Sequence, residues 1–174
     1  MFSLNVPVPG QVARLAAELH PQLIGFDSQR EEYTLVAKRF DESMFRASQP
    51  DVQLATLQQQ LPGELAGTPA FEAAVREVDF FAEPARGDGP VIYLTVESPG
   101  LRELHGTLVD AYGPVEGLEG VDYVPHVTLA RGGSVADAER VAEVRVEGVS
   151  WTVSELLIWD SRYREGVSRY SLPA

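Results

Sequence analysis

Alternating and helical patterns of apolar residues divide the first part of the chain into strand, helix, strand and helix. Residues 2–8 alternate as a short strand, and residues 9–23 follow with a proline near the start and apolar positions at helical spacing. Residues 30–40, REEYTLVAKRF, are rich in Thr, Val and aromatic side chains, which is typical of a strand. Residues 49–61 predict a second helix, which the following Pro-Gly pair ends.

The second part of the chain follows a similar order. Residues 69–84 and 89–98 predict two strands joined by a turn-rich segment, and a helix with a serine cap and a closing glycine follows at 98–113. Residues 122–133, DYVPHVTLARGG, alternate as another strand. A short helix and two closing strands are predicted at residues 134–143, 151–160 and 169–173.

Two similar halves that follow one another indicate an internal duplication. The stretch YTLVAKR in the first half runs in parallel with VTLAR in the second half. At 174 residues the chain is long enough for one good-sized core and too short for two independent average domains. We therefore predict a single domain over residues 1–174 that consists of two pseudo-symmetric lobes.

Composition narrows the range of functions. No apolar run approaches the roughly 20 residues that span a bilayer, and the N-terminus lacks the basic start and long apolar run of a signal peptide. We therefore expect a cytoplasmic protein with no membrane partner. A monomer is expected as well. The chain has no cysteine and only three dispersed histidines, which does not favour a zinc site. Neither a metal nor a cofactor is expected.

The charge of the chain changes what kind of partner is expected. A formal net charge of −12 argues against general nucleic-acid coating, because such binding depends on Lys and Arg neutralising phosphates. Lys38 is the only lysine beside thirteen arginines, and this acidic, lysine-poor composition resembles that of proteins from salt-loving organisms. Any phosphate site must therefore be local.

One histidine lies in a pattern that indicates chemistry. Because residues i and i+2 of a strand share a face, His126 and Thr128 point to one side, while Val127 and Leu129 point to the other. The two apolar side chains would pack in the core. The histidine and the threonine would face a cleft.

The pattern His-x-Thr-Leu, in this order of elements, resembles the signature of the two-histidine phosphoesterase superfamily, which includes 2′-5′ RNA ligase-like proteins and RNA cyclic phosphodiesterases. The resemblance covers nearly the whole chain, from the opening strand and helix to the closing WTVSELLIWDSRY. It implies an α+β, bilobal duplicated fold, in which two antiparallel sheets are related by a pseudo-twofold axis with helices outside and a central cleft. One signature strand of each half would face the cleft.

The chemistry that the resemblance implies is a metal-independent phosphodiesterase reaction. The substrates would be 2′,3′-cyclic phosphates or 2′-5′ phosphodiesters of RNA ends or nucleotides, hydrolysed, cleaved or ligated. Opening a cyclic phosphate needs a base to take a proton from water and an acid to protonate the departing oxygen, and two imidazoles can divide that work. The threonine hydroxyls would hold the phosphoryl oxygens.

The first half departs from the signature. Aligning EYTL on HVTL puts Glu32 at the position of the first histidine and retains Thr34, whereas a one-residue slip would put Tyr33 there, facing away from Thr34. A carboxylate can act as a base, but it adds negative charge beside a phosphate. The alternative function is therefore a non-catalytic module that binds nucleotides or RNA ends, and a more remote one is an unrelated small-molecule cleft.

Further candidates for contacts with the substrate follow from position. Lys38 shares the face of Glu32 and Thr34 by strand parity, and Arg131 follows the second signature, so both are candidates to hold phosphate. Tyr33 is a further candidate for contact with the substrate, and Tyr163 is a candidate to stack on a base. We expect Glu32, Thr34, His126 and Thr128 to converge on one cleft, with Lys38, Arg131 or Arg162 near its mouth. His20 and His105 are expected to be structural or solvated, and neither is assigned a functional role.

Overall fold

The computed structural model of the chain describes residues 1–174 and contains nine strands and four α-helices. The strands are β1 (Phe2–Val6), β2 (Ser28–Gln29), β3 (Leu35–Phe40), β4 (Phe71–Phe81), β5 (Val91–Glu97), β6 (His126–Arg131), β7 (Val149–Val153), β8 (Glu155–Asp160) and β9 (Glu165–Ser171). The helices are α1 (Gly10–Glu18), α2 (Pro50–Leu65), α3 (Pro99–Tyr112) and α4 (Val135–Ala142). Short 3₁₀ helices lie at His20–Leu23, Glu42–Met44 and Gly120–Asp122.

The strands form one strongly curled antiparallel sheet in the order β7-β4-β5-β6-β3-β1-β8-β9, with β2 paired to β6. The sheet consists of two four-stranded halves, one ending at β6 and the other at β3. These halves meet through a single residue pair, Leu35 with Val127. The predicted α+β duplicated fold is therefore confirmed, with its two sheets joined edge to edge at one point.

The two central strands have the same backbone geometry on either side of this junction. A β-bulge follows the junction pair, Leu35 and Val127, on each strand: Ala37 of β3 has no partner on β1, and Leu129 of β6 has no partner on β5. A bulge adds one residue and reverses the alternation of side chains beyond it. A pseudo-twofold axis at the junction thus relates β3 to β6 residue by residue.

Apolar side chains from both halves form one core of 34 buried residues. Helix α3 packs against β3 and β4, and so connects the two halves of the sheet. Its predicted cap is confirmed, because the Ser98 hydroxyl accepts a hydrogen bond from the Leu101 amide at 3.1 Å. No helix of the chain combines the length and the apolar character that a membrane span requires.

Three sequence predictions about element boundaries are wrong. Helix α2 does not end at the Pro-Gly pair but continues to Leu65, because Leu61 and Leu65 are buried and packing holds the last turn. Residues 151–160 form two strands, since the chain leaves β7 at Ser154 and crosses to pair with β1 on the other side of the sheet. The strand predicted at 30–40 begins only at Leu35.

Candidate functional site

A cavity of about 370 Å³ opens where β3 and β6 diverge beyond their single pair. Positions of the first half and of β6 that are equivalent by the pseudo-twofold axis line the cavity. These equivalent positions are Thr34 and His126, Val36 and Thr128, and Arg39 and Arg131. The segment before β3, the β4–β5 connection and the segment after α3 form the remaining walls. The cavity therefore lies on the pseudo-twofold axis, as the duplication predicts.

The two bulges determine which side chains reach the cavity. Because a bulge inserts one residue, the cavity-facing series on β3 runs from Thr34 and Val36 to Arg39 and omits Lys38. The same shift on β6 directs Arg131 to the cavity. The parity prediction that Lys38 faces the cleft is wrong for this reason, and the Lys38 side chain is 0% exposed.

His126 is oriented by its own strand end. Its Nδ1 lies 2.6 Å from the carbonyl oxygen of Val124, so Nδ1 carries the proton and donates to that carbonyl. The rings of Phe81 and Tyr93 lie edge-on to the imidazole, with centroid distances of 5.4 and 5.3 Å. This packing restricts rotation of the ring. The Nε2 atom is left as the nitrogen that can accept a proton.

The surroundings of His126 favour its neutral form. Burial is the largest cause that lowers the pKa of the imidazole below its usual value, and the positive charges of Arg39, Arg131 and Arg30 lower it further, in that order. The hydrogen bond to Val124 acts in the opposite direction. Near neutral pH the imidazole is therefore a proton acceptor in the unliganded cavity.

Arginine side chains make the cavity locally positive in an acidic chain. Four arginines and only two carboxylates line the cavity. The arginines are Arg30, Arg39, Arg86 and Arg131, and the carboxylates are Glu83 and Asp122. The ion pairs of the structure leave Arg30, Arg39 and Arg131 without a carboxylate partner. Burial lowers the pKa of Arg30 and Arg39 below the usual range. Unpaired guanidinium groups in one recess suit a phosphate ligand.

A buried ion pair holds the cavity-distal side of β3. Lys38 Nζ donates to Glu119 Oε1 at 2.6 Å, and both side chains are 0% exposed. The carboxylate also accepts from the amide of Arg39 at 2.7 Å and from the amide of Val115 at 3.0 Å. Glu119 thus fixes the backbone of the residue that sends its guanidinium into the cavity.

A second buried group holds the bulge itself. His105 Nδ1 donates to the carbonyl of Ala37 at 2.7 Å, and Nε2 accepts from the amide of Gly120 at 3.0 Å, which defines the neutral tautomer. The Tyr123 ring stacks on His105 with centroids 3.6 Å apart, and its hydroxyl donates to the carbonyl of Val36 at 2.8 Å. The sequence assigned His105 no functional role; the structure gives it a structural one.

The structure brings together only part of the predicted constellation. Thr34, His126, Thr128 and Arg131 all line the cavity. Glu32 does not, because it lies in a bend before β3, and its exposed carboxylate is 3.6 Å from Arg164. Across the junction, Thr34 and not Glu32 is the counterpart of His126. The prediction that Glu32 shares a strand face with Thr34 is therefore wrong.

The remaining candidates lie outside the cavity lining. Tyr33 is partly buried and packs against the core. Tyr163 is 68% exposed and lies beneath the guanidinium of Arg162, which is bound to Asp160 at 2.7 Å. Neither aromatic ring is placed to stack on a base in the cavity, so the predictions for Tyr33 and Tyr163 are not supported by their positions.

Sequence reasoning missed three of the cavity arginines. Arg39 had a usable signal, because the parallel stretches YTLVAKR and VTLAR both end in arginine. Arg30 and Arg86 had none, since loops carry them to the cavity through the β2–β6 pairing and the β4–β5 connection. The structure contains no cluster of three or more His, Cys, Asp or Glu side chains arranged to hold a metal.

The fold matches solved structures over nearly its full length. A protein from Thermus thermophilus, TT0787, is 19% identical, covers 98% of this chain and 97% of its own, and superposes with a TM-score of 0.64. E. coli LigT complexed with 3′-AMP is 14% identical, with coverages of 99% and 98% and a TM-score of 0.67. E. coli LigT complexed with NADP+ is 16% identical, with coverages of 99% and 97% and a TM-score of 0.62.

No curated protein sequence matches this chain. The family model described as the 2′-5′ RNA ligase superfamily does match, over residues 34–164, and this match begins at Thr34, beyond Glu32. Since the matched residues make up more than half of the 174, the chain belongs to the 2′-5′ RNA ligase superfamily of two-histidine phosphoesterases.

Proposed function

We propose that the chain is a metal-independent phosphodiesterase that hydrolyses 2′,3′-cyclic phosphates, or cleaves 2′-5′ phosphodiesters, at RNA ends or in nucleotides. The observation that carries this proposal is His126, whose Nε2 is an available proton acceptor in an arginine-lined cavity. The nucleotides bound to E. coli LigT support a nucleotide as the ligand of this cleft.

The residues of the cavity suggest how the reaction proceeds. His126 Nε2 takes a proton from water while the water oxygen attacks phosphorus, and the bond from phosphorus to one ribose oxygen breaks. The Thr128 hydroxyl donates to a phosphoryl oxygen, and Arg39 neutralises charge that develops on the phosphoryl group. The product is a nucleoside monophosphate.

The missing group is the acid for the departing ribose oxygen. Thr34 occupies the position equivalent to His126, and a threonine hydroxyl does not release its proton near neutral pH. Water must then supply that proton. We therefore expect turnover that is weaker than that of a site with two imidazoles, by a factor of the order of 10²–10⁴.

A second candidate function is a module that binds nucleotides or RNA ends without turnover. The observation that favours it is the pair Thr34 and Val36, which leaves the first half with neither the histidine nor the threonine found at His126 and Thr128. The arginines would then contribute only to the affinity for the ligand.

Incubation with nucleoside 2′,3′-cyclic phosphates, with a chelator present, tests the proposal. We expect slow appearance of the nucleoside monophosphate, measured by chromatography, and no appearance with an identically purified His126→Ala protein. Equal turnover by both proteins would identify a contaminating enzyme and contradict the proposal. Binding of nucleoside monophosphates without turnover of cyclic phosphates or 2′-5′ dinucleotides would favour the binding module.

A further inference from the structure

Two of the cavity arginines lie where β2 pairs with β6. Arg30 follows β2, and its amide donates to the carbonyl of Leu129 at 2.8 Å, which extends the β2–β6 pairing by one residue. Arg131 ends β6 and pairs with Ser28 of β2. Both side chains line the cavity; Arg131 is half-buried, and Arg30 is exposed. The backbone thus places two guanidinium groups at the same corner.

The orientation of Arg131 is fixed by the β4–β5 connection. Its Nη1 donates to the carbonyl of Arg86 at 2.9 Å. Gly87 lies directly against the same nitrogen with φ +75, and a side chain there would occupy the place of the guanidinium. The connection therefore leaves room for Arg131 and holds it pointing into the cavity.

This corner is costly for the unliganded protein. Burial is the largest cause that lowers the pKa of Arg30, and the charge of Arg131 is the next, so the two groups repel each other. The chain has 26 acidic residues against 14 basic ones, yet neither Arg30 nor Arg131 has a carboxylate partner. A site of repelling, unpaired cations in an acidic protein fits an anionic ligand group.

The scissile phosphate does not account for these charges. A cyclic phosphate carries one negative charge, whereas three arginines without a carboxylate partner, Arg30, Arg39 and Arg131, line the cavity. Arg131 pairs with Val91 and Thr128 with Tyr93, two residues further along β5, so the two positions are about 7 Å apart along the strand. The Arg30–Arg131 corner is therefore separate from the position beside His126 and Thr128.

We propose that Arg30 and Arg131 form a subsite for a second phosphate of the ligand, so that the cleft prefers nucleotides with two phosphates over those with one. The inference rests on the proposed use of the cleft for nucleotides, but not on turnover. The second phosphate is either a 5′-phosphate on the same nucleoside or the next phosphodiester of an RNA chain, which present the same chemistry to the guanidinium groups.

Calorimetric titration with unreactive ligands tests the subsite. The ligands are a nucleoside 3′-monophosphate, the same nucleoside 3′,5′-bisphosphate, and a dinucleotide with a 3′-terminal phosphate, all at one low ionic strength because salt screens these contacts. The proteins are the wild type and the variants Arg30→Gln, Arg131→Gln and Arg39→Gln. Arg145→Gln is the matched control, since Arg145 is exposed and lies outside the cavity.

We expect the bisphosphate, the dinucleotide or both to bind the wild type about tenfold or more tightly than the monophosphate. Arg30→Gln and Arg131→Gln should remove most of that advantage while changing monophosphate binding by less than about threefold. Arg39→Gln should weaken all ligands by a similar factor, and Arg145→Gln should change none. The ligand that shows the advantage identifies which phosphate occupies the subsite.

An equal affinity for ligands with one and with two phosphates would overturn the inference. So would an advantage that persists in both Arg30→Gln and Arg131→Gln. Failure of the proposed reaction gives a different result, because a protein that binds bisphosphates preferentially but does not turn over cyclic phosphates retains the subsite and loses only the enzyme activity.

Discussion

Strands β3 and β6 have the same backbone and different chemistry. Each carries a bulge after the junction pair, each buries the same alternating positions, and each directs an arginine, Arg39 or Arg131, into the cavity. Yet β6 presents His126 and Thr128 where the first half presents Thr34 and Val36. The geometry of a duplicated site is thus maintained by core packing and pairing, which do not depend on the reactive side chains.

The two strands also differ in which groups form hydrogen bonds with the backbone of their free edges. Beyond the junction, β6 is covered by the backbone of β2. Strand β3 is covered by side chains, because Tyr123, His105 and Glu119 bind its carbonyl and amide groups one after another. Backbone pairing tolerates substitution, whereas a chain of buried side-chain contacts depends on each member.

The largest expected effect comes from removing the reactive side chain of β6. His126→Ala should lower kcat/KM for a 2′,3′-cyclic phosphate by about 10²–10⁴, because it removes the imidazole that takes the proton from water. Steady-state assays with cyclic nucleotides measure this. Glu32→Gln should have little effect, since Glu32 lies outside the cavity. A comparable loss from Glu32→Gln would contradict the structural assignment.

The next largest effect comes from removing a buried side chain that binds β3. Glu119→Ala should lower the free energy of unfolding by about 3–5 kcal/mol, because it leaves the buried Lys38 ammonium without its negative partner and the Arg39 amide without an acceptor. Urea denaturation measures the change. Glu97→Ala is the matched control, since it removes an exposed pair with Arg76 and should cost less than about 1 kcal/mol. Equal costs for the two variants would show that the buried pair contributes nothing special.

A smaller effect is expected from a substitution that gives both halves a histidine at the equivalent position. Thr34→His places an imidazole at the position equivalent to His126 and supplies the missing acid, so kcat should rise, by roughly tenfold or more. Glu32→His, which restores the motif in the sequence alignment, should not raise it, because that position lies outside the cavity. A gain from Glu32→His and none from Thr34→His would reverse the assignment of equivalent positions.

The smallest effect concerns the charge that β3 contributes to β6. The Arg39 guanidinium disfavours protonation of His126, so Arg39→Gln should raise the pKa of that imidazole. The neutral base is then lost at a higher pH, and the acidic limb of the kcat/KM profile should move upward by up to about one unit. Arg145→Gln should leave the limb in place. A limb that moves downward or stays fixed in Arg39→Gln would contradict the cause assigned here.

Most of the fold could be predicted from the sequence because its elements are long enough to show a period. The hairpin β4–β5, the capped helix α3 and the strand β6 all have apolar repeats and clear turn or cap residues. The two-residue strand β2 has no repeat to detect. The division at Ser154 was missed because the apolar pattern continues across the point where the chain changes pairing partners.

The site was harder to predict because a bulge leaves no mark in the sequence. Aligning the threonines of EYTL and HVTL made Glu32 the counterpart of His126, and uninterrupted strand parity assigned Lys38 to the cleft. Aligning the arginines instead makes Thr34 the counterpart of His126, since Arg39 and Arg131 each lie five positions further along the chain. That second alignment agrees with the pairing of Leu35 with Val127. The strand pairing, not the shared threonine, defines equivalence here.

The burial of Lys38 makes the chain a reporter of its own local opening. Lys38 is the only lysine of the sequence, and its ammonium group has no exposed surface. An amine-reactive acylating reagent can therefore modify a lysine side chain only in molecules whose β3 strand has separated from Glu119. The rate of that single modification, measured by mass spectrometry, therefore reports how often the strand that carries Arg39 opens.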